Sequence, residues 1–212
     1  MSFKDIFNID AEVKESAHAR VNLIGEHTDY TGGYVMPTLL SFKNTIEISQ
    51  NNSNEFTVYS QHFKEKKTFN DFKKSINNEW VDYIKGCLHI FFDENKISSR
   101  FLNIFISSDI PLERGISSSS ALCVATLKAL NTFFETKIKD PEIAKLAKKV
   151  EFNYIGVSGG IMDQMVSSIG IHGKAFFMNC KNLEYELINF PENWKFCLID
   201  SEVQRNLRDS SY

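Results

Sequence analysis

Two hydrophobic periods alternate along the chain, and the switches between them mark out a mixed fold. Alternating or near-continuous apolar runs predict strands over roughly 12–24, 34–50, 55–60 and 101–109. Trp80 to about Asp93 reads as a helix, with Val81, Ile84, Leu88 and Phe91 or Phe92 on one face. A second helix is expected after the serine run at 117–120, carrying Leu122, Val124, Ala125, Leu127, Leu130 and Phe133 to about Phe134. A third starts at Asp140-Pro141, with Asp140 as N-cap and Pro141 as first helical residue. In it Ile143, Ala147, Val150 and Tyr154 form one apolar stripe. Short strands follow near Lys174–Asn179, Tyr185–Phe190 and Phe196–Ile199. Without linker or repeat, this order predicts an α+β domain rather than a doubly wound sheet.

Composition narrows the picture modestly. A chain of 212 residues, 42% hydrophobic and 24% charged, can bury the core of one large domain. A net charge of −3 gives no electrostatic footprint for nucleic acid or an anionic membrane. The start, Met1-Ser2-Phe3-Lys4-Asp5-Ile6, lacks a signal-peptide apolar region. No run approaches the roughly 18 apolar residues of a membrane span. Cys87, Cys123, Cys180 and Cys197 lie scattered, with no C-x-x-C pair, and read as reduced thiols of a cytoplasmic protein. His18, His62, His89 and His172 show no paired spacing and are expected to be structural or exposed.

Four places carry chemistry. After the strand residues Val21, Leu23 and Ile24 and the break at Gly25, the polar residues Glu26, His27 and Asp29 crowd together ahead of Gly32-Gly33. Two carboxylates and an imidazole at one point suit the hydroxyls of a sugar. The stretch Gly115-Ile116-Ser117-Ser118-Ser119-Ser120-Ala121 runs into an apolar helix. Small residues and the unpaired N–H groups of a helix start bind phosphate anions, although a serine run here also reads as a simple cap. It is not a Walker loop, because G-x-x-x-x-G-K-[ST] is absent. Glu151 falls in the apolar stripe of the third helix, so its carboxyl group is paired with Lys145, Lys148 or Lys149, protonated, or bound to metal. Asp163 opens the apolar segment Met165, Val166, Ile169 behind Gly159-Gly160, where a carboxylate also satisfies a helix dipole. Arg20, on a strand flank, reads as a solvated charge or an ion-pair partner.

Three of these segments, at 16–38, 111–122 and 151–165, resemble the motifs of galactokinases, members of the GHMP small-molecule kinases. Trp80-Val81-Asp82-Tyr83-Ile84-Lys85-Gly86 adds weaker support. The resemblance implies a GHMP kinase amino-terminal domain, similar to the second domain of ribosomal protein S5, over 1–212. It implies a cytoplasmic enzyme that transfers the γ-phosphoryl group of ATP to the 1-hydroxyl of galactose, with ATP and Mg²⁺ required. Glu26, His27, Asp29, Gly160 and Tyr212 match sugar contacts. Residues 115–121 match the ATP phosphate loop, with Pro111 and Gly115 in step. Ser119 and Glu151 match Mg²⁺ ligands, Asp163 the proposed base, and Arg20 a cation near base and phosphoryl group. His18, Ala19, Thr31, Glu113 and Arg114 depart from the usual pattern. Galactokinases continue into a carboxy-terminal domain with a third, Gly-rich motif, so a truncated form that is inactive alone is the expectation. An N-acetylgalactosamine kinase and a non-enzymatic galactose- and ATP-binding sensor are the alternatives. Nucleic-acid and membrane partners are not expected.

Overall fold

The computed structural model describes residues 1–72, 79–111 and 114–200. In chain order these form α1 (Phe3–Phe7), β1 (Val13–Asn22), β2 (Tyr34–Val35), β3 (Pro37–Gln50), β4 (Phe56–Ser60) and β5 (Glu65–Phe69). There follow α2 (Val81–Asn95), β6 (Leu102–Ser108), α3 (Ser118–Phe133), α4 (Asp140–Lys149), a π-helical segment Val150–Ile155, α5 (Met162–Ile169), β7 (Lys174–Asn179) and β8 (Tyr185–Asn189).

The long strand β3 organises the sheet. One edge pairs antiparallel with β1, from Val13 opposite Ile48 to Asn22 opposite Pro37. The other edge takes β6 along 44–50 and β7 at Thr38. β4 runs parallel to β6, and the connection between them carries β5 and α2, as a parallel pair requires a crossover. Alternate residues put Ile46 and Ile48 of β3, Val58 of β4 and Ile104 of β6 on one face. There they pack with Ile84 and Leu88 of α2, Leu127 and Leu130 of α3 and Ile143 of α4 in a single core. On the opposite face α1 lays Phe3 on Tyr59 and Phe105. The expected α+β class is the one that forms.

Several local expectations need correction. β5 was not expected, because Glu65-Lys66-Lys67-Thr68 is too polar for a core strand; among the described residues it is an edge strand paired with β4, where lysines are tolerated. Helix α1 is a single turn closed by a Ser2–Asp5 capping box, too short to show a period. Phe196–Ile199 forms no strand and is largely exposed, since its apolar run meets no sheet edge. Asp140 lies inside the first turn of α4 with Lys139 as its cap. α3 starts within the serine run, at Ser118, because Ser117 takes the left-handed conformation (φ 61°) and turns the chain into the helix.

Candidate active site

Arg20 stands just past an irregularity in the β1–β3 ladder. His18 faces Lys43, whereas Arg20 faces Leu39, so β3 carries extra residues there. The Arg20 N–H donates to the Ile116 carbonyl (3.2 Å), tying strand to loop. Its guanidinium forks onto Asp163, Nε to Oδ1 and Nη2 to Oδ2 at 2.6 Å each, while Nη1 donates to the Gly115 carbonyl at 3.0 Å. Ser117 Oγ adds a third donor to Asp163 Oδ2 at 2.5 Å. Bidentate, charge-assisted bonds of this kind fix direction as well as strength. Burial works against the Arg20 charge, but Asp163, with help from Glu26 and Asp29, outweighs it and holds the guanidinium above its ordinary pKa.

The polar cluster after β1 is shaped by its backbone. Thr28 Oγ1 lies 2.7 Å from both the Gly25 and Tyr34 carbonyls, knotting the turn. Gly25 sits at φ 102° with no room for a side chain, against the backbone of Tyr34 and Val35. His27 is held left-handed (φ 62°), with Nδ1 3.0 Å from the Tyr30 hydroxyl, and Asn22 Nδ2 donates to Glu26 Oε1 at 2.9 Å. Asp29 turns the other way, and its carboxyl group occupies the place where a side chain at position 160 would begin. Burial, then the nearby Asp163, raises the Asp29 pKa.

Glu151 resolves differently from the lysine pairing its neighbourhood offered. Lys145 pairs with Glu142 and Lys149 with Glu94, and Lys148 bonds the Gly159 carbonyl. Glu151 instead accepts from Ser119 Oγ (2.9 Å), Ser120 Oγ (2.9 Å) and Gln164 Nε2. Only 6% of Glu151 is exposed. That burial raises its pKa against the three hydrogen bonds. The π-helical segment, ended by Gly156 at φ 84°, carries Glu151 beneath the serine loop. Among the described residues no group of three or more His, Cys, Asp and Glu side chains meets as a metal site.

Arg20, Glu26, His27, Asp29, Glu151 and Asp163 all line one cleft of about 410 Å³, as do Gly115, Ser117–Ser120 and Gly160. Its size is that of a small-molecule site. Ile116 and Ala121 lie behind the loop in an apolar cluster with Ala19 and Ile110. Tyr212 and Glu113 lie outside the described residues, and Arg114 forms an ion pair with Asp200 at 2.8 Å. Sequence reasoning missed the far end of the cleft, where Trp80 stacks on Phe63 (5.8 Å, 17°) and His62 meets Phe63 edge-on at 4.9 Å. His62 and Phe63 come from the β4–β5 turn, which has no motif. Trp80 opened the segment at 80–86 that offered only weak support, and Gln164 stood beside Asp163 without being singled out.

None of the helices in the described residues is long and apolar enough to cross a membrane. Residues 82–170 match the family model of the GHMP kinases N terminal domain, and residues 1–50 match the galactokinase galactose-binding signature. The chain is 36% identical to a galactokinase of Pyrococcus furiosus over 203 residues, covering 95% of this chain and 56% of that protein. It is 35% identical to a galactokinase of Thermotoga petrophila, covering 94% and 56%. It thus spans about half the length of the curated relatives it matches. The crystal structure of Lactococcus lactis galactokinase complexed with galactose superposes with a TM-score of 0.81 at 28% identity, covering 94% of this chain and 55% of that one. Methanococcus jannaschii mevalonate kinase shares the fold, with a TM-score of 0.72 at 23% identity and coverage of 84% and 56%. The two family models together span the strand that carries Arg20 and the helix that carries Asp163, and the chain carries a GHMP kinase amino-terminal domain together with a galactokinase galactose-binding signature.

Proposed function

We propose that the chain supplies the sugar- and phosphate-binding half of a kinase that transfers the γ-phosphoryl group of ATP to the 1-hydroxyl of galactose. The observation that carries this reading is the Arg20–Asp163 fork, set between the Glu26–Asp29 cluster and the serine loop in one cleft. Glu26, His27 and Asp29 take sugar hydroxyls, and the Gly160 backbone closes the sugar side. Asp163 then meets the 1-hydroxyl, and as that oxygen attacks the γ-phosphorus Asp163 orients or accepts its proton. General-base help of this kind is typically worth about 10²–10⁴ in rate. Arg20 fixes the Asp163 carboxyl group through its forked bonds and places positive charge beside the developing phosphoryl charge, where preorganised electrostatics acts most strongly.

The N–H groups at the start of α3 and the loop 115–121 receive the phosphates, and the stacked Trp80 and Phe63 suit the flat face of the adenine base. Ser119 and Glu151 fit Mg²⁺: two oxygen donors stand 2.9 Å apart, and the buried Gln164 Oε1 beside them has no partner among the described residues. When bound there, the ion would neutralise phosphate charge.

Calorimetric titration checks the reading. Galactose should bind, and Asp29→Ala should weaken it by about 10²-fold or more while ATP affinity barely moves, because a site built for hydroxyls is left with unpaired partners. Asp163→Asn should keep most galactose affinity and abolish phosphoryl transfer in any form of the protein that shows it. Equal loss of both ligands in Asp29→Ala, with a lowered melting temperature, would make the cluster structural.

A further inference from the structure

Lys148 stands in the last turn of α4, three residues before Glu151. Its neighbours Lys145 and Lys149 are spent on surface carboxylates, Glu142 and Glu94. Lys148 turns inward instead. It is half-buried, lines the cleft and donates to the Gly159 carbonyl. Half-burying an ammonium group costs solvation, so a position of this kind needs compensating partners. They are present: Glu151, Asp29 and Asp163 all act on it electrostatically.

Among the described residues, the loop it grips has few other ties. Its start is tied by the N–H groups of Gly156 and Val157 to the Glu151 carbonyl, at 2.8 Å for Val157. Beyond that, Gly159 has no neighbour within 4 Å of where a side chain would begin, while Gly160 rests on the Asp29 carboxyl group. Val157, Ser158, Gly159 and Gly160 form one wall of the cleft. Three glycines in five residues give a wall with a high entropic cost of ordering.

We propose that Lys148 is a positioning residue for the sugar end: by pinning Gly159 it holds the wall 157–160 against Asp29 and sets that carboxylate for its hydroxyl. This inference rests on the reading that the cluster at Glu26–Asp29 binds galactose. The competing account is that Lys148 merely complements the negative end of the α4 dipole, an effect on stability alone. Burial lowers the Lys148 pKa, and the three carboxylates offset that only in part.

The test is a double-variant cycle read by calorimetry on the full 212-residue chain, with galactose and ATP as separate ligands. Lys148→Met should weaken galactose about 10-fold or more and ATP less than about 3-fold, 10-fold being about 1.4 kcal/mol. Combined with Asp29→Ala, it should weaken galactose by clearly less than the product of the two single effects, since both act through one contact. Lys148→Arg keeps donor and charge and should restore galactose affinity to within about 3-fold, which a stability effect at a helix end would not demand of the sugar alone. It also keeps the test alive where the Met variant folds poorly. Galactose affinity unchanged in Lys148→Met, or effects that multiply fully with Asp29→Ala, would overturn the proposal. Wild-type chain that binds no galactose would sink the sugar-site reading first, and this inference with it.

Discussion

At Gly160 an added Cβ would fall on the Asp29 carboxyl group. Two segments separated by more than a hundred residues therefore share one small volume, and only a residue without a side chain permits it. Gly160→Ala should displace Asp29 and weaken galactose at least about 10-fold, because the loss is one of geometry at a hydroxyl-binding group. Its melting temperature should move little, as the position lies in a loop; galactose affinity equal to wild type would refute the close approach. His18 offers a second residue-scale check. It is held by the Leu40 carbonyl at 3.1 Å, with its ring 4.1 Å edge-on from that of His172. Burial first, then the charges of His172 and Lys43, lowers its pKa below 6.5, against the carbonyl bonds. The unfolded chain therefore binds the proton more readily. The stability this gives is complete above about pH 6.5 and is lost as pH falls through the lower folded value. Thermal melts between pH 7.5 and 5 should show that loss, and His18→Asn should flatten it.

Elements matter here through where they end. β1 stops at Asn22 and hands the chain to the Glu26–Asp29 turn; α3 begins in the serine run; α5 begins one residue before Asp163. The π-helical segment is the element with the largest leverage, because it sets the depth of Glu151 under the loop. α2 braces it at Gly86, where a Cβ would lie 2.9 Å from both Tyr154 Cδ1 and Val150 Cγ1. Those side chains are buried and cannot swing away. Gly86→Ala should thus lower stability by about 1–3 kcal/mol from overpacking, against a helix-propensity gain of about 1 kcal/mol. A denaturation midpoint above that of wild type would mean the brace is loose.

At the scale of the whole molecule, the described residues provide a cleft lined by the Glu26–Asp29 cluster, the serine loop and the Phe63–Trp80 pair, on a sheet with α2, α3 and α4 packed on one face and α1 on the other. Near the end of the described chain, Trp194, Leu198 and Ile199 are largely exposed, Ile199 at 87%. Exposed apolar side chains favour association. Phosphoryl transfer needs both substrates held in line, and a misplacement of about 1 Å can cost about 10²-fold. We expect the 212 residues assayed alone to bind galactose but to release little galactose-dependent ADP, and to bind a hydrophobic dye. Turnover comparable with that of a full-length relative would make them a minimal kinase.

The sequence by itself settled what depends on neighbours along the chain. The period of the apolar residues predicted α2, α3, β6 and β7 closely, since burying one face of an element is a local pattern. Glu26, His27, Asp29, the serine loop and Gly160–Asp163 stood out in the sequence because each is a contiguous motif resembling one of the galactokinases, whereas residue types alone left the serine run readable as a cap and Asp163 as a dipole partner. Only the tertiary structure decided what those pieces do to one another. It set Arg20 against Asp163 rather than solvent, gave Glu151 hydroxyl and amide partners in place of lysines, and turned Lys148 into the cleft. It also brought Phe63 and Trp80 together from unconnected segments. Such contacts join residues far apart in the chain, and their partners are chosen by sheet register and helix packing, which no local period encodes.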